Sequence, residues 1–93
     1  MATKERVFQC LKDFLHARKR EQVRFSEKTH LFFDLGLKSE DGVYFVLDLC
    51  EALEFEFPLD FNPFTDKTER RIVRVGEMAN RIEQVMSETG ALT

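Results

Sequence analysis

Three segments of the chain carry apolar residues at helical spacing. The repeated separation of three or four residues predicts amphipathic helices over residues 4–17, over 39–54 and from 73 or 75 to 87. The first stripe consists of Val7, Phe8, Cys10, Leu11, Phe14 and Leu15, and the last consists of Val75, Met78, Ala79, Ile82, Val85 and Met86. We expect these stripes to face inward and form the core.

The middle helix has two chemically different sides when residues 39–54 are wound at helical pitch. We expect its buried side to consist of Val43, Val46, Leu47, Cys50 and Leu53, widened by Phe45 and Leu49. The opposite side, which we expect to face water, carries Glu40, Asp41, Tyr44, Asp48 and Glu51. Ser39 starts the helix, and its simplest role is an N-cap whose hydroxyl accepts a backbone N–H.

The connection from residue 21 to residue 38 is long for a compact domain. Four of its residues are too apolar for a free loop, so we expect the segment to fold back over the helices. They are Leu31, Phe32, Leu35 and Leu37. Gly36 permits a tight turn just before the middle helix.

The second connection, residues 55–71, alternates apolar and turn residues. Apolar side chains at positions 55, 57, 59 and 61 are typical of a strand. Because no partner strand is evident, we favour an extended loop whose aromatic rings cover the core. Thr65 or Thr68 is expected to cap a short extra helix that ends near Arg71. The whole pattern predicts an all-α fold, a small bundle of three or four helices.

The length and the apolar content describe one small domain. We interpret the 93 residues as a single unit over 1–93, with a core over about 4–87 and a frayed C-terminal tail. Such a short chain buries a modest fraction of its surface. Ten phenylalanines offset this, since each buried ring contributes roughly 2–3 kcal/mol of transfer free energy.

The charge is unevenly distributed, although the net charge is only −3. Residues 1–30 contain eight Lys or Arg against four acids, whereas residues 31–60 contain eight acids and Lys38 alone. The acidic middle third argues against a nucleic-acid partner. Binding through the basic first third would predict steeply salt-dependent retention on heparin, but no aromatic–basic alternation supports it. The acidic helix is instead expected to attract basic protein surfaces.

Signals of other protein classes are weak. No signal peptide or membrane-spanning run is evident, which predicts a cytoplasmic protein, and we expect a monomer. Cys10 and Cys50 are expected to be buried as small hydrophobic residues. His16 and His30 are isolated from any cluster of ligands, so no metal site is expected. The absence of a Gly-x-Ser-x-Gly elbow or a phosphate-binding glycine loop argues against an enzyme.

Gly42 lies in the first turns of the middle helix. A glycine there costs about 1 kcal/mol relative to alanine. Two explanations stay open: the glycine is simply tolerated, or it leaves room beside Ser39 for a prosthetic group or a partner.

The sequence around Ser39 resembles the modification site of acyl carrier proteins. The run from Leu31 to Val43 reads LFFDLGLKSEDGV. It is similar to the family's pattern of leucine, two variable residues, Asp-Leu-Gly, two variable residues, Ser-Leu-Asp and a valine two further on. The similarity continues without a gap to Pro58, and residues 75–82 resemble the start of the family's last helix. It covers roughly residues 4–87.

The resemblance implies a bundle of acyl-carrier-protein type with a long first loop. It implies 4′-phosphopantetheine attached covalently to Ser39, with a terminal thiol that carries an acyl chain as a thioester. The implied partners are a phosphopantetheinyl transferase and acyl-transfer or synthase enzymes, in fatty acid biosynthesis or a specialised pathway of lipid or secondary metabolism. The implied partner-binding residues are Glu40, Asp41, Tyr44, Asp48 and Glu51.

Both neighbours of Ser39 depart from the family pattern. Lys38 replaces an aspartate, and Glu40 replaces a leucine that normally packs beside the prosthetic arm and helps the transferase bind. A group of carrier-like bacterial proteins of unknown role shares the Leu-Gly-Leu start and the acidic pair, but often has glycine in place of the serine. The alternative function is therefore an unmodified carrier-like interaction module that docks through the acidic helix.

Overall fold

A computed structural model describes residues 3–18, 24–58, 60–66, 68 and 71–88 of the chain. Three α-helices lie in these ranges: α1 (Thr3–Ala17), α2 (Ser39–Leu53) and α3 (Val75–Glu88). Two short strands, β1 (Thr65–Asp66) and β2 (Arg71–Ile72), separate α2 from α3. The three expected helices are thus confirmed, with ends that agree to within one or two residues.

The core lies where α1 packs against α2 and α3. Its largest fully buried side chains are two phenylalanines, Phe45 from α2 and Phe64 from the second connection. Their rings stack with centroids 5.2 Å apart, and Phe14 of α1 meets Phe45 edge-on at 5.3 Å. Such aromatic pairs add stability beyond the apolar area that they bury. The expected inner stripes of α1 and α3 are buried or half-buried as predicted.

The extra helix expected from Thr65 or Thr68 to Arg71 is wrong. Thr65 pairs with Ile72 and Asp66 pairs with Arg71, in an antiparallel ladder of two residues on each side. The β-branched side chains of Thr65 and Ile72 favour this extended backbone over a helix. The fold is mainly helical with three helices and a small two-stranded sheet in its described part, rather than all-α.

The strands belong to a wider set of backbone contacts that tie both connections to the start of α3. The Val73 N–H donates to the Phe64 carbonyl at 2.9 Å, and the Val73 carbonyl accepts the Leu31 N–H at 3.3 Å. His30 and Arg74 form an isolated antiparallel bridge beside them. The loop that precedes α2 is therefore anchored to the segment that precedes α3.

The extended loop expected after α2 is confirmed over residues 55–58 and 60–61, which form no strand. Phe57 is buried, and Phe55 and Phe61 are half-buried against the core. The Phe57 and Phe61 rings stack with centroids 5.4 Å apart. Leu59, the remaining member of the alternating pattern, lies outside the described residues.

Candidate functional site

The buried face of α2 differs from the one expected. Val43 and Leu47 are 57% and 63% exposed, whereas Phe45 and Leu49 are fully buried. The helix is rotated because Phe45 offers the largest apolar surface and inserts it between Phe14 and Phe64. Burying that ring contributes more than burying the smaller Val43. The buried stripe is Gly42, Phe45, Leu49 and Leu53, with Val46 and Cys50 half-buried at its edge.

The loop before α2 is anchored by buried leucines. Leu31, Leu35 and Leu37 are all buried, which confirms that this connection folds back over the core. Phe32 departs from the expectation, because it is 43% exposed beside the still more exposed Phe33. Gly36 has φ 70, a left-handed conformation that glycine adopts without strain.

Two side chains of this loop bind its backbone. The Asp34 carboxylate accepts the His30 N–H at 2.7 Å, and His30 Nδ1 accepts the N–H groups of Phe32 and Phe33 at 3.1 and 3.0 Å. Because Nδ1 is an acceptor in both contacts, the hydrogen-bond network assigns the ring hydrogen to Nε2. The chain thus reaches α2 through a closely hydrogen-bonded turn.

Ser39 is the first residue of α2 and is exposed. The N-cap is Lys38, with extended backbone at φ −103 and ψ 169, so the prediction that Ser39 caps the helix is wrong by one residue. The cap contact comes from Asp41, whose carboxylate accepts the Lys38 N–H at 2.8 Å. Since Asp41 makes that contact, the Ser39 hydroxyl is not required for capping.

The acidic side of α2 faces solvent as expected. Glu40, Asp48 and Glu51 are exposed, and Tyr44 is 58% exposed. The helix contains no Lys, Arg or His, so the only charges that its own side chains carry are negative. Asp41 differs from the other four, because it is half-buried.

Asp41 is bound within the molecule on both of its oxygens. Oδ2 accepts the Lys38 N–H, and Oδ1 lies 3.6 Å from an Arg18 guanidinium nitrogen. The Arg18 guanidinium also lies 4.2 Å from the centre of the Phe14 ring. The two residues that follow Arg18, Lys19 and Arg20, lie outside the described residues. Asp41 therefore connects the end of α1 to the start of α2.

Asn62 is a site residue that the sequence did not reveal. Its Nδ2 donates to the Ser39 carbonyl at 2.7 Å, and its Oδ1 accepts the Phe64 N–H at 2.9 Å. A Cβ built on Gly42 would lie 2.0 Å from Asn62 Oδ1. The space beside Gly42 is therefore filled by Asn62. No periodicity or motif relates residues 42 and 62.

A shallow apolar groove of about 230 Å³ runs along the other edge of α2. It is lined by Val43, Val46, Leu47, Cys50, Phe57, Pro58 and Phe61. Ser39, Val43, Val46 and Cys50 follow one another at spacings of four, three and four, so the serine lies on the groove's face of the helix. At 1.5 Å per residue, Val43 is about 6 Å along the helix axis from Ser39.

Both cysteines are half-buried rather than enclosed. Burial raises the pKa of the Cys10 thiol, the carboxylates of Asp13 and Asp48 raise it further, and Arg6 opposes them. Among the described residues, no group of three or more His, Cys, Asp or Glu side chains is placed to hold a metal ion. No helix in the same ranges is both long and apolar enough to cross a membrane.

Scans against models of protein families, the curated proteins and the solved structures return no match for this chain. The geometry itself describes a small, mainly helical domain. It presents Ser39 at the start of an acidic helix, behind a closely hydrogen-bonded loop and beside an apolar groove.

Proposed function

We propose that this protein is an acyl carrier protein whose 4′-phosphopantetheine is attached to Ser39. The observation that carries the proposal is the exposure of Ser39 at the first position of α2. A transferase can reach a hydroxyl there, and the unpaired N–H groups of a helix's first turn favour a phosphodiester beside them. The resemblance of residues 31–43 to the family's modification site supports the same assignment.

The groove along α2 supports a carrier that shelters its cargo. The prosthetic group supplies a thiol that holds an acyl chain as a thioester. Because Ser39 and Val43 lie on one face of α2, a chain tethered at the serine has a short path to the groove. The volume of the groove is below the roughly 300–1,000 Å³ of typical ligand pockets. It would therefore cover only part of a long chain.

The exposed acids of α2 are the proposed docking surface for partner enzymes. Glu40, Asp48 and Glu51 carry the charge, and Tyr44 offers an exposed ring beside them. Charged surfaces of this kind speed encounter with basic partners more than they add affinity. Asp41 contributes less to docking, because its oxygens already bind Lys38 and Arg18.

Intact mass tests the modification directly. We expect co-expression with a phosphopantetheinyl transferase of broad specificity to add the mass of one phosphopantetheine, and Ser39→Ala to abolish the gain. Ser87→Ala, a change at an exposed serine of α3, is the matched control and should leave the gain intact. No mass gain, or one that survives Ser39→Ala, would contradict the proposal.

The second candidate is an unmodified interaction module that uses the same acidic helix. It is favoured by Glu40, which is exposed where the family has a leucine that helps the transferase bind. The mass of the protein isolated from its native host separates the two candidates. A permanently unmodified protein that still binds a partner through α2 would support the module.

A further inference from the structure

Asn62 connects the turn formed by residues 62–65, here called the Asn62 turn, to the start of α2. Its side-chain amide has a single orientation, because Oδ1 must accept the Phe64 N–H while Nδ2 donates to the Ser39 carbonyl. The turn is closed by the Thr65 N–H, which donates to the Asn62 carbonyl at 3.4 Å. The contact with Ser39 spans 23 residues of chain.

Gly42 makes this approach possible. The three atoms nearest to a Cβ built at residue 42 are Oδ1, Cγ and Nδ2 of Asn62, at 2.0, 2.8 and 3.1 Å. Any larger residue would force the amide away from the helix or shift the helix itself. Glycine at this position lowers helix propensity. It also allows the Asn62 side chain to pack directly on the backbone of the first turn.

Arg81 of α3 binds the other side of the same turn. Its Nη1 donates to the Thr65 carbonyl and, at 3.4 Å, to the Pro63 carbonyl. The guanidinium also lies 5.7 Å from the centre of the Phe61 ring. Burial lowers the pKa of Arg81, while the carboxylates of Asp66 and Glu77 raise it. The side chain remains a cation at neutral pH.

We propose that Asn62 is a positioning residue for Ser39, and that the Asn62 turn links the start of α2 to Arg81 of α3. The Ser39 carbonyl accepts Asn62 Nδ2 in addition to the helical N–H of Val43, so the amide restrains the backbone that carries the candidate hydroxyl. The benefit for modification rests on the proposed carrier function, whereas the restraint itself does not.

Amide hydrogen exchange tests the restraint in the intact chain. We expect Asn62→Ala to speed exchange at residues 41–43 by roughly two- to tenfold, the range for loss of one neutral hydrogen bond. Core amides such as that of Leu49 should change less. Asn80→Ala, at an exposed position of α3, is the matched control and should leave residues 41–43 unchanged. Equal effects of the two variants would overturn the restraint.

Arg81→Lys tests the link to α3. A lysine ammonium lacks the planar fork that binds two carbonyls at once. We therefore expect this variant to speed exchange at residues 41–43 as well, although residue 81 touches none of them. Unchanged exchange there would remove α3 from the proposal.

A double-mutant cycle separates stability from positioning. Gly42→Ala alone should lower the Tm, because its methyl displaces Asn62. Combined with Asn62→Ala the clash is absent, and the better helix propensity of alanine should raise the Tm above that of either single variant by about 4–8 °C. Additive changes in Tm would show that Gly42 and Asn62 do not act together.

Transfer of phosphopantetheine to the same variants is the second readout. We expect the double variant to have a higher Tm than either single variant but to keep a kcat several-fold below that of the wild type. Its KM should change little, since the acidic docking surface is intact. A kcat that recovers with the Tm would reduce Asn62 to a stabilising residue. If the wild type accepts no phosphopantetheine, the carrier function fails, and hydrogen exchange alone decides the restraint.

Discussion

Lys38 is an unusual N-cap, because a lysine side chain has no acceptor for the free N–H groups of a helix. Its backbone has the extended conformation that cap residues adopt, and its side chain makes no cap hydrogen bond. Asp41 compensates by accepting the Lys38 N–H. The Lys38 side chain therefore contributes no hydrogen bond to the start of the helix.

Lys38→Asn should stabilise the protein. Asparagine is among the preferred N-cap residues, and a good cap contributes about 1 kcal/mol. We expect the free energy of unfolding, measured by urea denaturation, to rise by roughly that amount. Lys12→Asn, a change at an exposed position inside α1, is the control and should not stabilise. A loss of stability at Lys38→Asn would mean that the lysine itself makes a stabilising contact.

Cys10 should give the fold a measurable dependence on alkaline pH. Its folded pKa is raised, chiefly by burial and then by Asp13, so the folded state keeps the thiol proton where the unfolded chain loses it. This contribution is fully present below the ordinary thiol pKa and is lost as the pH rises through the folded pKa. We expect stability to fall with pH in that window.

Urea denaturation across pH 7 to 10 checks this dependence, with Cys10→Ala as the comparison. The variant removes the thiol and should flatten the alkaline part of the profile, apart from a constant offset from lost packing. Parallel profiles for the two proteins would contradict the assigned pKa direction.

At the scale of the element, α2 shows how periodicity defines a helix without defining its rotation. Apolar residues occupy so much of its circumference that two overlapping stripes were available. The stripe through Phe45 and Leu49 is buried, and the one through Val43 and Leu47 is exposed. The choice depends on the rings of Phe14 and Phe64, which come from other segments.

Two leucines of α2 provide a matched test of this rotation. Leu49→Ala should cost about 2–5 kcal/mol, because it leaves a cavity at a fully buried position. Leu47→Ala removes the same atoms at a position that is 63% exposed, and should change stability by less than about 0.5 kcal/mol. Thermal or urea unfolding measures both. Equal losses of stability in the two variants would contradict the burial of Leu49 and the exposure of Leu47.

At the scale of the molecule, the acids of α2 form a local concentration of negative charge on a protein whose net charge is only −3. The triple variant Glu40→Gln, Asp48→Asn and Glu51→Gln removes three negative charges and brings the net charge to zero. If α2 is the docking surface, we expect kcat/KM of the phosphopantetheinyl transferase to fall roughly 5- to 20-fold at low salt. The dependence of this kcat/KM on salt concentration should weaken as well.

A second triple variant makes the same change in net charge away from α2. It consists of Glu5→Gln, Glu56→Gln and Glu88→Gln, all at exposed positions. We expect it to retain most of the wild-type kcat/KM. Comparable losses in both variants would assign the effect to total charge and not to the acidic helix.

The amino-acid pattern alone determined the three helices, the buried leucines of the first loop and the acidic side of α2. These features depend on spacings within one segment, because a helix presents every third or fourth residue to the same side. The position of Ser39 was also predictable to within one residue, since the change from loop to helical spacing occurs there.

Tertiary structure decided the features that depend on contacts between distant segments. The rotation of α2 follows from the rings of Phe14 and Phe64, and the ladder of Thr65 with Ile72 replaces an expected helix because each strand supplies the other's partners. The contact of Asn62 with Ser39 and Gly42 joins residues about 20 positions apart. Packing in three dimensions selects such pairs, and no local spacing records them.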